Sequence, residues 1–382
     1  MSKGDVYPSE CATFQDNETG VTIHRLTDHL CHSSHFYFTH WSYYAGGRKM
    51  VFHSDRGNAG NLYGIDLDSG EIRQLTDAAP GQPSPQPFGV CVSRTRDELY
   101  YLADGALRAL DLNDLSERKL WEVPDGKKAG MPNCTSDGRF VCLVLEPPPP
   151  GDLASVPTRQ DSTNLTLWEL HPRAQIVKIS IRTGESQVVW EEDYHLGHVN
   201  TSPTQGHILT FCHEGPWRKV EQRIWGLDLV SGKVWPVRPQ EGDDLIVGHE
   251  YWFADGVRVG YHGRFGRQPG GQPFWGFADL SDGSFREYPV SKACMHLQSL
   301  DENLVVGDGS KGDPCLYLFR RESDGYCGKF LCRHYGSFHT QRLHVHPAFM
   351  PGGKRIVFTS DMHGYGNVYM LDLPDFDSLP DA

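Results

Sequence analysis

The chain has 382 residues, 38% hydrophobic and 11% aromatic, with 49 acidic against 36 basic side chains and a formal net charge of −13. An acidic field of that size argues against a nucleic-acid backbone as partner, and no apolar run reaches the ~18 residues that read as a membrane span. The N-terminal MSKGDVYPSECATF has no basic stretch followed by an apolar one, so the expected location is cytoplasmic, and the ten cysteines, none in a CxxC pair, read as small buried apolar residues.

In chain order, the first strand signal is GVTIHRLTD (20–28). A phrase of strand, tight Gly/Asp/Ser turn and strand then recurs at 62–77, 107–125, 176–192, 224–237, 274–289 and 316–334. Each copy carries a β-hairpin signal. A truncated seventh copy, VYMLDLP (368–374), ends the series. A second, weaker phrase, a turn and then an apolar strand, precedes most hairpins: 46–55, 95–104, 136–146, 203–214, 254–263, 301–310 and 351–361. The expected fold is all-β, a seven-bladed propeller forming one domain over 1–382. The 20–28 strand supplies the partner that the last hairpin lacks, which closes the ring and removes exposed sheet edges. The Pro-rich segment 146–172 reads as an inserted surface loop, and helix signals are nearly absent.

Histidines recur ahead of the second-phrase strands: His198, His249, His296, and the pair His344 and His346. Four successive blades thus present imidazoles at equivalent innermost positions, which packing alone does not require. His344 and His346 are two apart in an extended-looking stretch, and on a strand that spacing places both rings on one face. With His296 they form a plausible shell for a divalent metal. HEGPW (213–217) is followed by Arg218, Lys219 and Arg223, which read either as a solvated basic loop or as an anion clamp. No GxSxG and no phosphate-cradling glycine loop occurs.

The strings LTFCHEGPWRKVEQRIW, GHEYWF, ACMHLQS, VVGDGS, TQRLHVHPAFMPGGKRIVFTSDMHG and the early RLTDHLCHSSHFYF together resemble the oligogalacturonate lyase family, over nearly the whole chain and most strongly from 195 to 365. The resemblance implies a seven-bladed propeller that degrades short pectin-derived uronides in the cytoplasm by β-elimination. It also implies a divalent metal, typically Mn2+, held by His296, Gln341, His344 and His346. It further implies a general base at His249 and an active-site arginine at Arg223. His198, His213, His35, His32 and Arg218 are expected as substrate contacts or as supports of the metal shell. The loops at 146–160 and 263–275 differ from those expected of a pectin-specific member, which bears on the sugar rather than the reaction.

A uronide lyase must remove the proton at C5, next to a carboxylate that is already negative. Uncharged ligands leave a metal its full charge for stabilising the dianion that develops. Histidine, which as a class titrates near 6.5, suits the base. The rival readings keep the fold. They are a lyase for glucuronate- or iduronate-containing oligosaccharides, a metal-dependent hydrolase, and a non-catalytic propeller that serves as a binding platform. The sequence leaves the oligomeric state open.

Overall fold

The structure is a computed structural model and describes residues 2–80, 88–149, 160–268 and 270–382. Its strands form seven antiparallel sheets, the blades of a seven-bladed β-propeller. By internal contacts the chain forms two compact units. Met1–Pro87, Gln272–Gly276 and Glu287–Ala382 make the first, which carries blades one, six and seven. Phe88–Gly271 and Phe277–Arg286 make the second, with blades two to four and most of blade five.

Every recurrent phrase becomes the expected strand pair. The turn of the first hairpin shows why. The Asp66 carboxylate accepts from the backbone N–H of Asp68 at 3.1 Å and of Ser69 at 3.0 Å, closing an Asx turn. Gly70 follows at φ +76°, where a Cβ would sit 2.2 Å from the Ser9 hydroxyl. Asp228 repeats the device with Val230 and Ser231, and Asp111 with Asn113 and Asp114.

Alternating apolar residues on these strands meet between consecutive blades. Tyr100 and Leu107 pack with Val141 and Ile179, and Val306 and Leu318 pack with Ile356 and Phe358. Each such burial stabilises by about 1.5–3 kcal/mol. The N-terminal strand Thr22–Arg25 pairs antiparallel with Tyr365–Asp372, Ile23 opposite Leu371, so the last blade is completed from the start of the chain. Thr27 locks this seam: its hydroxyl accepts from the Val368 N–H at 3.0 Å and donates to the Asn367 side-chain Oδ1 at 3.0 Å.

The insertion differs from expectation. It contains an α-helix, α1 (Gln160–Leu170), while 150–159 lie outside the described residues. Its Trp168 indole N–H donates to the Tyr194 hydroxyl at 2.8 Å, and the ring lies where a Cβ on Gly215 would meet it at 2.5 Å. A proline-free stretch with one aromatic anchor is enough to hold a short helix that lacks a long apolar stripe.

The innermost strands of blades three, four and five share one irregularity. Lys128–Cys134, Leu196–Thr201 and Leu245–Trp252 each carry a β-bulge, between Gly130 and Asn133, Gly197 and Asn200, and Val247 and Glu250. Bulges re-aim side chains. Two of these three contain the histidines singled out above, His198 and His249.

A candidate metal centre and a buried charge cluster

In the first unit, His296, His344 and His346 converge. One ring nitrogen from each lies within 4.8 Å of the others, and the ring centroids of His296 and His346 are 4.3 Å apart. The Gln341 amide joins them, its Nε2 lying 3.4 Å from His346 Nε2. Two buried atoms here have no hydrogen-bond partner, Gln341 Oε1 and His344 Nδ1. Orphaned donors and acceptors are rare in native interiors, and four uncharged N and O groups aimed together suit a divalent metal such as manganese. Burial, and then the neighbouring His296, push the His344 pKa down to about 4, so its lone pair is available at neutral pH.

The local backbone is not the expected strand. Gln341–Leu343 form a 3-10 turn and His344 is extended (φ −68°, ψ 144°), while His346 takes φ +44°. The two-residue spacing still brings the rings to one place, through a turn and a left-handed residue instead of a pleat. A non-glycine residue at positive φ costs about 1–2 kcal/mol and needs support. His35 gives it: Nε2–H donates to the His346 carbonyl at 2.8 Å, while the Thr359 hydroxyl lies 2.6 Å from Nδ1. Arg342 ties the 3-10 turn to blade one through His53 Nδ1 at 2.7 Å and Asp55 at 3.0 Å.

His35 was expected to touch substrate or to support the metal shell. It is 5% exposed with both ring nitrogens occupied, so of the two roles it has the second and positions His346. Burial pushes its pKa down to about 4. Between pH ~6.5 and ~4 the unfolded chain therefore binds a proton that the folded one does not, and stability falls as pH drops through that window. His35→Phe is expected to remove roughly 3 kcal/mol of that acid dependence, read as the change in unfolding free energy between pH 7 and pH 4. An unchanged pH slope would contradict the assignment. His32 is likewise structural, accepting from the Gly366 N–H at 3.0 Å.

Sequence reading missed Tyr37 and Phe38. Their rings pack on the cluster, Tyr37 4.7 Å from His346 and Phe38 5.5 Å from His296. Both lie in the HFYF string, so the signal was present, but an aromatic pair in an apolar run is indistinguishable from core.

In the second unit, His249 is partly exposed. Its ring lies parallel to His198 at 5.6 Å and edge-on to Trp217 at 5.0 Å. Trp217 comes this close because residue 248 is glycine: a Cβ there would sit 2.4 Å from the indole. Beneath lies a buried charge cluster. His198 Nδ1 is 2.9 Å from Glu250 Oε1, and Nε2 is 3.4 Å from Glu214 Oε1. Arg223 forks onto Glu214 at 3.1 and 3.4 Å, donates to the Gly248 carbonyl at 3.2 Å and lies 3.5 Å from Glu250. Burial works to raise the Glu214 pKa, but Arg223, His198 and His195 together pull it down to about 2.

Arg223 was expected to meet the substrate's carboxylate or leaving group. It is 1% exposed and its donors point at protein acceptors, so it braces the strand that carries His249. Arg223→Ala takes the guanidinium from the buried Glu250 and the partly buried Glu214. The expected cost is about 3–5 kcal/mol, measured by denaturant unfolding, and a loss below 1 kcal/mol would refute the bracing role. His213 stacks on Tyr194 at 3.8 Å, 5.2 Å from Trp225 and 3.2 Å from Glu192, which is a packing position and not the expected substrate contact. Arg218 is exposed on the turn below Trp217, with its carbonyl held by Arg267 at 3.0 Å.

A family model described as oligogalacturonate lyase matches residues 1–377. The oligogalacturonide lyase of Pectobacterium atrosepticum is 28% identical, over 98% of this chain and 99% of that protein. The oligogalacturonate lyase of Dickeya dadantii is 27% identical over the same shares. Among solved structures, an oligogalacturonate lyase in complex with manganese superposes with a TM-score of 0.87 at 29% identity, covering 98% of this chain and 99% of that one. The Vibrio parahaemolyticus oligogalacturonate lyase superposes at 0.86 and 26% identity, again over 98% and 99%.

Proposed function

Since this chain belongs to the oligogalacturonate lyase family, we propose that it cleaves short galacturonate oligosaccharides by manganese-dependent β-elimination and releases a 4,5-unsaturated uronate. The observation that carries this reading is the convergence of three imidazole nitrogens within 4.8 Å beside an orphaned glutamine carbonyl.

His296, Gln341, His344 and His346 would hold the metal. Bound there, it supplies a Lewis acid for the substrate carboxylate, whose charge grows as C5 loses its proton. We assign His249 as the base. A ring nitrogen takes the C5 proton, the C–H electron pair becomes the C4–C5 double bond, and the C4–O bond breaks with protonation of the departing oxygen. The imidazole lies parallel to His198 and edge-on to Trp217, and two flanking rings help hold it in place for the proton transfer. Arg223, Glu214 and Glu250 position that ring without touching substrate. Arg218, exposed and without an ion-pair partner among the described residues, is the proposed contact for a further substrate carboxylate. We place the reaction in the cytoplasm, a reading supported by ten unpaired cysteines.

Galacturonate and glucuronate oligosaccharides incubated separately with the protein and Mn2+ test the substrate. Ultraviolet absorbance from the new conjugated double bond is expected with the galacturonate series. Faster turnover of the glucuronate series would reassign the sugar. A saturated product would make the protein a hydrolase, and intact substrate in both arms would leave a binding platform.

A further inference from the structure

We infer that Asp308 makes His296 a metal ligand, by fixing its tautomer and by supplying the counter-charge behind it. The inference rests on the metal-dependent reading above and deepens it. Asp308 is fully buried at 0% exposure and follows the strand Leu304–Gly307. Its two carboxylate oxygens are divided between two donors of one residue. Oδ1 accepts the His296 backbone N–H at 2.7 Å, and Oδ2 lies 2.6 Å from His296 Nδ1. A carboxylate can only accept, so Nδ1 carries a proton and Nε2 is the ring nitrogen left to face a metal.

The Asp308 backbone is held as well. The Asp308 carbonyl accepts from His334 Nε2–H at 2.9 Å, and His334 Nδ1 accepts from the Gly336 N–H at 2.9 Å. That pair of bonds admits one tautomer of His334, and His334 is buried at 0% exposure. The row His334, Asp308, His296 therefore has the Nε2 proton of His334 and the Nδ1 proton of His296 placed before any metal arrives.

Charge points the same way. Among the described residues, the only ion-pair partner of Asp308 is the His296 ring. Among the described residues no lysine or arginine forms an ion pair with this buried anion, and a buried charge without a full partner is costly. A dication on the far side of the imidazole supplies the missing balance. Because one ring separates carboxylate from metal, the anion strengthens the ligand without occupying a coordination position.

Asp308→Asn tests this with almost no change of shape. Asparagine offers one acceptor and one NH2 donor where His296 presents two donors. Relief comes when the ring gives up its Nδ1 proton and takes Nε2–H, which removes the ligating lone pair. Calorimetric titration of Mn2+ into chelator-stripped protein is expected to show affinity 10–100-fold weaker in the variant than in the parent. Imidazole 15N NMR of the metal-free parent, with His296 assigned by its loss in His296→Asn, is expected to show the Nδ1–H form. Asp308→Asn should show Nε2–H, a shift that a merely structural change would not produce. Equal Mn2+ affinity in parent and variant overturns this inference alone. An Nε2–H ring in the metal-free parent does so too, even if the variant fails to fold. A parent that takes no Mn2+ overturns the metal-dependent reading, and this inference with it.

Discussion

Replacing His249 by alanine is expected to lower kcat by roughly 10²–10⁴-fold, the range for losing a general base, while manganese content stays at the parent level. The rate loss corresponds to about 3–5 kcal/mol of barrier. The proton at C5 has no other assigned acceptor. His198 is buried and committed to protein partners, its Nδ1 2.9 Å from Glu250 and its Nε2 3.4 Å from Glu214. Metal content should hold because the assigned ligands are His296, Gln341, His344 and His346, and His249 is not among them. His249→Gln keeps most of the volume against Trp217 and is expected to be as inactive as the alanine variant, which separates lost chemistry from lost packing. Steady-state kinetics with elemental analysis of the same samples decides it. Parent-level turnover, or metal lost together with the ring, would show that the base has been misassigned.

Replacing His344 by alanine is expected to weaken manganese binding by more than the ~100-fold typical of losing a supporting residue, with activity falling in step. His344 is the cleaner choice of the two neighbours. His346 sits at φ +44°, so changing it mixes ligand loss with backbone strain, whereas His344 has ordinary extended backbone. Its Nδ1 is buried without a partner, so the protein does not depend on that bond for folding. Excess Mn2+ should restore part of the rate, since Gln341, His296 and His346 remain. Full occupancy and full activity in this variant would rule His344 out as a ligand.

The repeat phrases were legible because a hairpin is a local object. Asp66, Ser69 and Gly70 close their turn within a few residues, and the same chemistry recurs down the chain. The closing strand was legible for the same reason, since 20–28 copies half of a hairpin. The three converging histidines could be grouped from spacing, but their backbone could not: the left-handed His346 depends on His35, 311 residues earlier, and the 3-10 turn on the contact of its Arg342 with His53, 289 residues earlier. Arg223 shows the limit most plainly. A basic residue after HEGPW looks like an anion clamp, and only the fold reveals that Glu214, Glu250 and the Gly248 carbonyl have already taken its donors. His35 and His213 fail as substrate contacts for a related reason. Whether a histidine faces ligand or core depends on which distant strand supplies its partner, Thr359 in one case and Tyr194 in the other.

Digalacturonate incubated with chelator-stripped protein, before and after Mn2+ is restored, followed together by ultraviolet absorbance and product mass, tests the central claim most directly. The account predicts no turnover without metal, and on restoration an unsaturated monomer with matching absorbance. Undiminished cleavage by the stripped protein, or products heavier by one water and without absorbance, would contradict it.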